Sequence, residues 1–235
     1  MTLYLIGLGL DDKEVTEKGL DALENVEKAY AEFYTNTETV EIERLEEKTG
    51  TEIEKVSRKQ VEQEDLILSS AKEQDTAFLV SGDAITATTH FEINDRAKKI
   101  GIDTEVIHGP SIFTSVAETG LSIYKFGRTV TLPENHTPQS VIDYIRENEK
   151  IGLHTLILLD INYNASEAAE HLIDQDNSLA DEEFIVIQRA NNNSQSIERG
   201  KLEEISNKNL GKTPHSLVKI GELSFNEKEL LKEID

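Results

Sequence analysis

The feature that most restricts the fold is an alternation, repeated along the chain, of short β-rich apolar runs with amphipathic stretches of helical period. A strand followed each time by a helix returns to the same sheet in the same direction, so this pattern points to α/β layers on a mainly parallel sheet. Strands are expected at Thr2–Ile6, Ala29–Phe33, Glu52–Val56, Thr76–Val80 and Thr104–Ile107, then at Thr129–Leu132, His154–Leu159, Phe184–Gln188 and Ser216–Ile220. Helices are expected over Thr16–Val26, Thr39–Lys48, Gln60–Lys72, Thr89–Lys99, Pro138–Glu149, Ser166–Asp174 and Asn226–Leu231. Leu20 and Leu23 are spaced for one buried helix face, as are Val141, Ile142 and Ile145. His154–Leu159 is a continuous apolar run suited to a strand covered on both sides. Gly109-Pro110-Ser111 breaks the chain and starts another helix, which sets a lobe boundary there, with lobes at 1–110 and 111–235.

A chain of 235 residues is long enough for two modest α/β lobes. A hydrophobic content of 37% in regularly spaced runs marks a folded protein. The absence of cysteine excludes disulfides, cysteine-ligated zinc and thiol nucleophiles. Acidic residues outnumber basic ones 46 to 24, and the excess is spread over both halves. Binding nucleic acid by neutralising phosphates needs clustered Lys and Arg, so no nucleic-acid partner is expected. A uniformly acidic surface fits a salty cytoplasm, where at about 1 M salt the screening length is only about 3 Å; an ordinary acidic cytosolic protein is the plainer reading. No apolar run approaches the ~20 residues that span a bilayer. The opening MTLYLIGLGL lacks a basic leader and ends at Asp11-Asp12, so a cytoplasmic protein with no membrane partner is expected.

Ligand loops of open α/β sheets gather at the carboxyl ends of strands. Three such junctions carry small or polar residues. Gly7-Leu8-Gly9-Leu10 lets a ligand approach the backbone, but the residue three after Gly9 is Asp12, which departs from a dinucleotide fingerprint; alone, it reads as readily as a tight turn. Ser81-Gly82-Asp83 precedes Thr86-Ala87-Thr88-Thr89, and the Asp83 carboxylate could hold a ligand or cap a helix. His108-Gly109-Pro110-Ser111-Ile112 offers Ser111 as a helix cap or as a site for a polar ligand group. His90-Phe91-Glu92 lacks the cysteines of a zinc deaminase and reads as helix surface. His215 after Pro214 either lines a cleft or lies exposed. His108, His136, His154 and His171 show no metal-ligand spacing, so no metal is expected. Neither a nucleophile elbow nor a Walker loop occurs.

These segments, in order, resemble the diphthine synthase family. The resemblance rests on Leu3-Tyr4-Leu5-Ile6-Gly7-Leu8-Gly9-Leu10, Ala31-Glu32-Phe33-Tyr34-Thr35, Gly82-Asp83 with Ala87-Thr88-Thr89-His90, and Pro110-Ser111-Ile112. It continues through Ile123-Tyr124-Lys125-Phe126-Gly127, Gly152-Leu153-His154-Thr155-Leu156, Leu159-Asp160-Ile161 and Pro214-His215. It implies a tetrapyrrole-methylase architecture: two α/β lobes with a cofactor cleft between them, in a homodimer. The implied activity is transfer of methyl groups from S-adenosyl-L-methionine (SAM) to the amino group of a 3-amino-3-carboxypropyl-histidine on translation elongation factor 2, repeated to the trimethyl form. The implied SAM contacts are Leu10, Asp83, Thr86, Ser111, Ile112, Leu159, Ala190 and His215, with no catalytic base assigned. The chain departs from the family at Ala84, where proline is usual, at Thr86, where a hydrophobic residue is usual, and at Asn162, where lysine is common. It departs again at Arg189-Ala190-Asn191-Asn192, where a glycine-containing turn is usual. The rival readings are a corrin-type methyltransferase of the same fold and a non-catalytic homologue that binds the factor without SAM.

Overall fold

A computed structural model describes residues 1–11, 13–35 and 40–233. The chain divides into two compact units, Met1–Ile112 and Phe113–Asp235.

The first unit runs β1 (Thr2–Gly7), α1 (Glu17–Glu24), β2 (Lys28–Glu32), α2 (Ile42–Thr49), β3 (Ile53–Lys55), α3 (Arg58–Glu62), α4 (Leu66–Ala71), β4 (Thr76–Val80), α5 (Phe91–Lys99) and β5 (Asp103–Ile107). The strands form one sheet in the order β3-β2-β4-β1-β5, every pair parallel. All five residues of β4 are buried, because helices cover both faces of the sheet. Alternation along the strands sorts the core in two. Leu3, Leu5, Phe78 and Val80 pack with Ile93 and Ala97 of α5 on one face. Ile6, Ala77 and Leu79 pack with Leu20 and Leu23 of α1 on the other.

Local signals set the helix ends. Thr16 caps α1 by accepting from the Gly19 N–H, and Ser57 with Gln60 forms a capping box on α3. The single helix expected over Gln60–Lys72 is instead two, α3 and α4. They are parted at Asp65, whose left-handed φ of 52° ends one helical path and starts the next. Arg96 of α5 pairs with the Asp65 carboxylate there. The helix expected from Thr39 begins at Ile42, and Thr39 itself lies outside the described residues.

A short helix, α6 (Ile112–Ser115), leads on from the first unit. The second unit runs β6 (Val130–Leu132), α7 (Gln139–Lys150), β7 (Thr155–Leu159), α8 (Ala165–Gln175), β8 (Glu183–Gln188), β9 (Ser196–Lys201), α9 (Leu202–Ser206), β10 (His215–Lys219) and α10 (Phe225–Leu230). Its sheet order is β6-β7-β10-β8-β9. Here the expected parallel sheet is corrected: only β6 and β7 are parallel, while β10 runs antiparallel to β7 and β8, and β9 antiparallel to β8. The cause is a hairpin. Residues 189–195 turn β8 directly into β9 with no crossover helix, which forces the reversal. Val141, Ile142 and Ile145 of α7 meet Ile157, Phe184, Val186 and Leu217 in the core, as the helical spacing predicts.

Glu227 in α10 ties this unit together. Its side chain is 3% exposed, yet it takes Lys125 Nζ at 2.9 Å, the Ser122 N–H at 2.9 Å, the Ser224 N–H at 2.7 Å and His154 Nε2 at 3.1 Å. Burial alone would raise its pKa, but the lysine and the two backbone donors outweigh burial and hold it below the usual carboxylate range. Glu227→Ala is expected to destabilise the protein by about 2–4 kcal/mol in urea denaturation near neutral pH. The folded state favours the ionised form. That stabilisation is therefore complete above about pH 4.3 and drains away as the pH falls below it. The gap between wild type and variant should narrow on acidification; a constant gap would show that the charge is not responsible.

Candidate functional site

Strands β4 and β5 flank β1 in a parallel sheet, so their carboxyl ends emerge side by side. Gly7 closes β1, Gly82 lies just beyond β4, and Gly109 lies just beyond β5. A methyl group added to Gly7 would sit 2.6 Å from the Gly109 nitrogen and 2.7 Å from the Gly82 carbonyl oxygen. One added to Gly109 would sit 2.8 Å from the carbonyl oxygens of both Gly7 and Gly82. Three loop backbones thus touch, and no side chain fits between them. Hydrogen bonds fix the contact: Leu8 N–H to Val80 O at 2.8 Å, Gly9 N–H to Gly82 O at 3.0 Å, and Gly82 N–H to Gly9 O at 2.8 Å. Gly9 and Gly82 both take left-handed φ, +80° and +78°.

The sequence-flagged residues of this unit are arrayed around that contact. Leu10 is buried beside Gly82, and its N–H donates to Glu14 Oε2 at 2.6 Å. Asp83 and Ser111 are buried polar residues, Ser111 directly before α6, which Ile112 begins. Asp83 neither hangs free nor caps a helix. Its Oδ1 accepts from the Ile85 N–H at 3.2 Å, the Thr86 N–H at 3.0 Å and the Thr86 hydroxyl at 2.7 Å. Its Oδ2 lies 2.7 Å from His108 Nδ1. Burial pushes its pKa up, but the Thr86 hydroxyl and His108 prevail, so Asp83 is held ionised below its ordinary range. Thr86 therefore has a physical reason to replace a hydrophobic residue: its hydroxyl is a donor to Asp83.

His90 corrects the sequence reading. It is 1% exposed, not on a helix surface, with its ring edge on Phe78 at a centroid distance of 5.0 Å. Its Nδ1 lies 2.9 Å from the Thr88 hydroxyl and its Nε2 lies 3.2 Å from the Tyr34 hydroxyl. Burial, then Arg58, lowers its pKa to about 4, so it is neutral at physiological pH. Glu32, wholly buried at the end of β2, accepts the Tyr34 and Thr35 N–H groups at 2.9 and 3.1 Å, and the Thr35 hydroxyl. Burial raises its pKa. Reasoning from residue types gave Glu32 and Tyr34 no role; the signal available was a carboxylate directly after the apolar run Ala29-Tyr30-Ala31.

The second unit places its flagged residues at one end of its own sheet. His215 opens β10 opposite Gln188, the last residue of β8, and Ala190 lies two residues further on. Leu159 closes β7, one step beyond the Leu158–Ser216 pair. His215 is buried: its Nδ1 accepts from the Ala165 N–H at 3.1 Å and its Nε2–H donates to Lys212 O at 3.0 Å. Both ring nitrogens are engaged within the protein. Ala190 sits between Arg189 (φ 48°) and Asn191 (φ 64°), both left-handed, in the turn that joins β8 to β9. Among the described residues, no group of three or more His, Cys, Asp or Glu could hold a metal ion, and no helix is long and apolar enough to cross a membrane.

The family model for tetrapyrrole (corrin/porphyrin) methylases matches residues 2–206. Diphthine synthase of Methanocaldococcus jannaschii is 37% identical, over 98% of this chain and 97% of that protein. The chain belongs to the diphthine synthase family of tetrapyrrole methylases. Diphthine methyl ester synthase of Schizosaccharomyces pombe is 36% identical over 93% of this chain and 88% of its own length. A crystal structure of a diphthine synthase superposes with a TM-score of 0.94 at 33% identity, over 100% of this chain and 96% of that one.

For a methyltransferase of this family, the glycine contact predicts a separation of effects. Gly109→Ala puts a methyl against two carbonyl oxygens and should cost about 2–3 kcal/mol while weakening methyl-donor binding. Gly50, at φ +74° with nothing within 4 Å of an added methyl, is the control. Gly50→Ala should carry only the left-handed strain of about 1–2 kcal/mol and leave donor binding intact. Equal donor affinities in the two variants, measured by calorimetry, would contradict the role given to the contact.

Proposed function

We propose that this chain methylates the amino group of the 3-amino-3-carboxypropyl-histidine of translation elongation factor 2, in the cytoplasm and as a homodimer, with SAM as methyl donor. The observation that carries the reading is the meeting of Gly7, Gly82 and Gly109 at neighbouring strand ends, surrounded by Leu10, Asp83, Thr86, Ser111 and Ile112. These residues fit SAM chemically. The glycine contact draws three loops together at neighbouring strand ends, and the half-buried Ile112 that follows the third loop offers apolar surface to an adenine ring. Asp83, held ionised, supplies a negative field to a ligand that carries positive charge.

SAM supplies a methyl group already activated by its positive sulfur. What remains for the protein is to orient the acceptor amine and exclude water. An α-amino group with a pKa near 8 is roughly a tenth unprotonated at neutral pH, so a dedicated base is not obligatory and none is assigned. Transfer repeats until the nitrogen is trimethylated. The S. pombe relative's name adds a second outcome, methylation of the neighbouring carboxylate to an ester.

Purified protein, incubated at high salt with methyl-labelled SAM and elongation factor 2 bearing the aminocarboxypropyl-histidine, should transfer label to the factor. Label stable to mild alkali is on nitrogen, and label released by it is an ester. A corrin-type acceptor should take none. Absence of label on verified factor with folded enzyme would overturn the proposal. SAM at about 100 times its dissociation constant should also stabilise the fold by about 2.7 kcal/mol. Asp83→Asn should weaken SAM binding about tenfold, or 1.4 kcal/mol, because it removes the charge; an unchanged affinity would remove Asp83 from the site.

A further inference from the structure

The segment between β4 and α5 contains neither helix nor strand, and it carries Asp83 and Thr86. Side chains hold it at its two ends. At the start, Asp83 Oδ1 gathers the Ile85 and Thr86 N–H groups and the Thr86 hydroxyl. At the end, buried His90 takes the Thr88 hydroxyl on Nδ1 and the Tyr34 hydroxyl on Nε2. Ala87 lies between the two anchors at φ 58°, a left-handed conformation that a Cβ-bearing residue keeps only when its surroundings impose it.

The His90 anchor is referenced to rigid parts of the sheet. Its ring edge rests on Phe78 of β4, which is wholly buried. Tyr34 is placed in turn by its own N–H on Glu32 Oε2 at 2.9 Å and by the Arg58 guanidinium 5.2 Å from its ring centroid. Neutral imidazole has one donor and one acceptor nitrogen, and each hydroxyl can take either part, so the network is satisfied in either tautomer. The charged groups around it are Glu32, 3.9 Å from Nδ1, with Arg58 acting on both rings and Glu62 acting on Tyr34.

We infer that His90, fastened to Tyr34 and Thr88, is a positioning residue that keeps the Asp83–His90 loop in its donor-binding shape. It sets affinity for the methyl donor and has no part in the chemical step. This rests on the reading that the Asp83 loop meets SAM.

The test compares wild type, His90→Phe, His90→Gln and Tyr34→Phe by calorimetry with SAM, by steady-state kinetics and by thermal unfolding. Phenylalanine fills the space of the imidazole and keeps an edge on Phe78, but makes neither hydrogen bond. His90→Phe should raise the SAM Kd and KM about tenfold or more, with kcat at saturating SAM within about threefold of wild type. His90→Gln retains an amide that reaches the Tyr34 hydroxyl and should recover most of the affinity. Tyr34→Phe should shift Kd in the same direction, and adding it to His90→Phe should cost nothing further, because the bond it removes is already gone there. An unchanged Kd in folded His90→Phe would overturn the inference, as would a matching loss of kcat or a failure of the glutamine variant to rescue. Should His90→Phe not fold, Tyr34→Phe decides, and an unchanged Kd there overturns it. Wild type that binds SAM beside variants that bind equally well sinks this inference alone; wild type that does not bind SAM sinks the proposed function, and this inference with it.

Discussion

Three peptide backbones meet at Gly7, Gly82 and Gly109, and the arrangement of the first unit's site follows from that contact. Added methyls at Gly7 and Gly109 would lie 2.6–2.8 Å from neighbouring backbone atoms, nearer than carbon approaches nitrogen or oxygen without repulsion. The strand order β4-β1-β5 puts the three exits side by side, and the absence of Cβ atoms lets them close. Leu10, Asp83 and Ser111 each lie within three residues of one of these glycines, so loops far apart in sequence bring them to neighbouring strand ends. Apolar alternation supplies the sheet, and glycine at these positions lets the three loops close on one another.

The buried polar groups are spent on holding loops in place. Asp83 does so with one oxygen, which takes three donors, while the other faces His108. His215 uses both ring nitrogens on the protein's own backbone. Glu32, Tyr34 and His90 form a further buried cluster whose hydrogen bonds all run within the protein. A site of this kind relies on fixed geometry rather than on a reactive side chain. That suits a reaction whose electrophile arrives already activated.

Much of this was legible in the residues. Leu20 and Leu23, and Val141, Ile142 and Ile145, lie buried where helical spacing puts them, and Thr76–Val80 reads as the strand it is. What escaped has physical causes. Strand β9, Ser-Ile-Glu-Arg-Gly-Lys, is a half-exposed edge strand with one large apolar residue, so its register comes from β8 and not from its own pattern. The left-handed Asp65 splits a helix whose apolar spacing, Val61 to Leu68, survives the break and so conceals it. The direction of the second sheet depends on a tight turn carried by Arg189 and Asn191, residues that do not announce a positive φ as glycine would. His90 reads as surface because His-Phe-Glu opens an amphipathic helix; its burial is decided by Tyr34, just beyond β2, and by Phe78 of β4.

The central claim is that the three glycine-joined loops form the methyl-donor face of the first unit. The most direct measurement is the backbone amide spectrum of the isotope-labelled protein during titration with SAM. The account predicts saturable shifts concentrated at residues 8–11, 82–86 and 109–112, with the helices behind the sheet unmoved. Saturable binding that leaves those amides unchanged and moves others would contradict it.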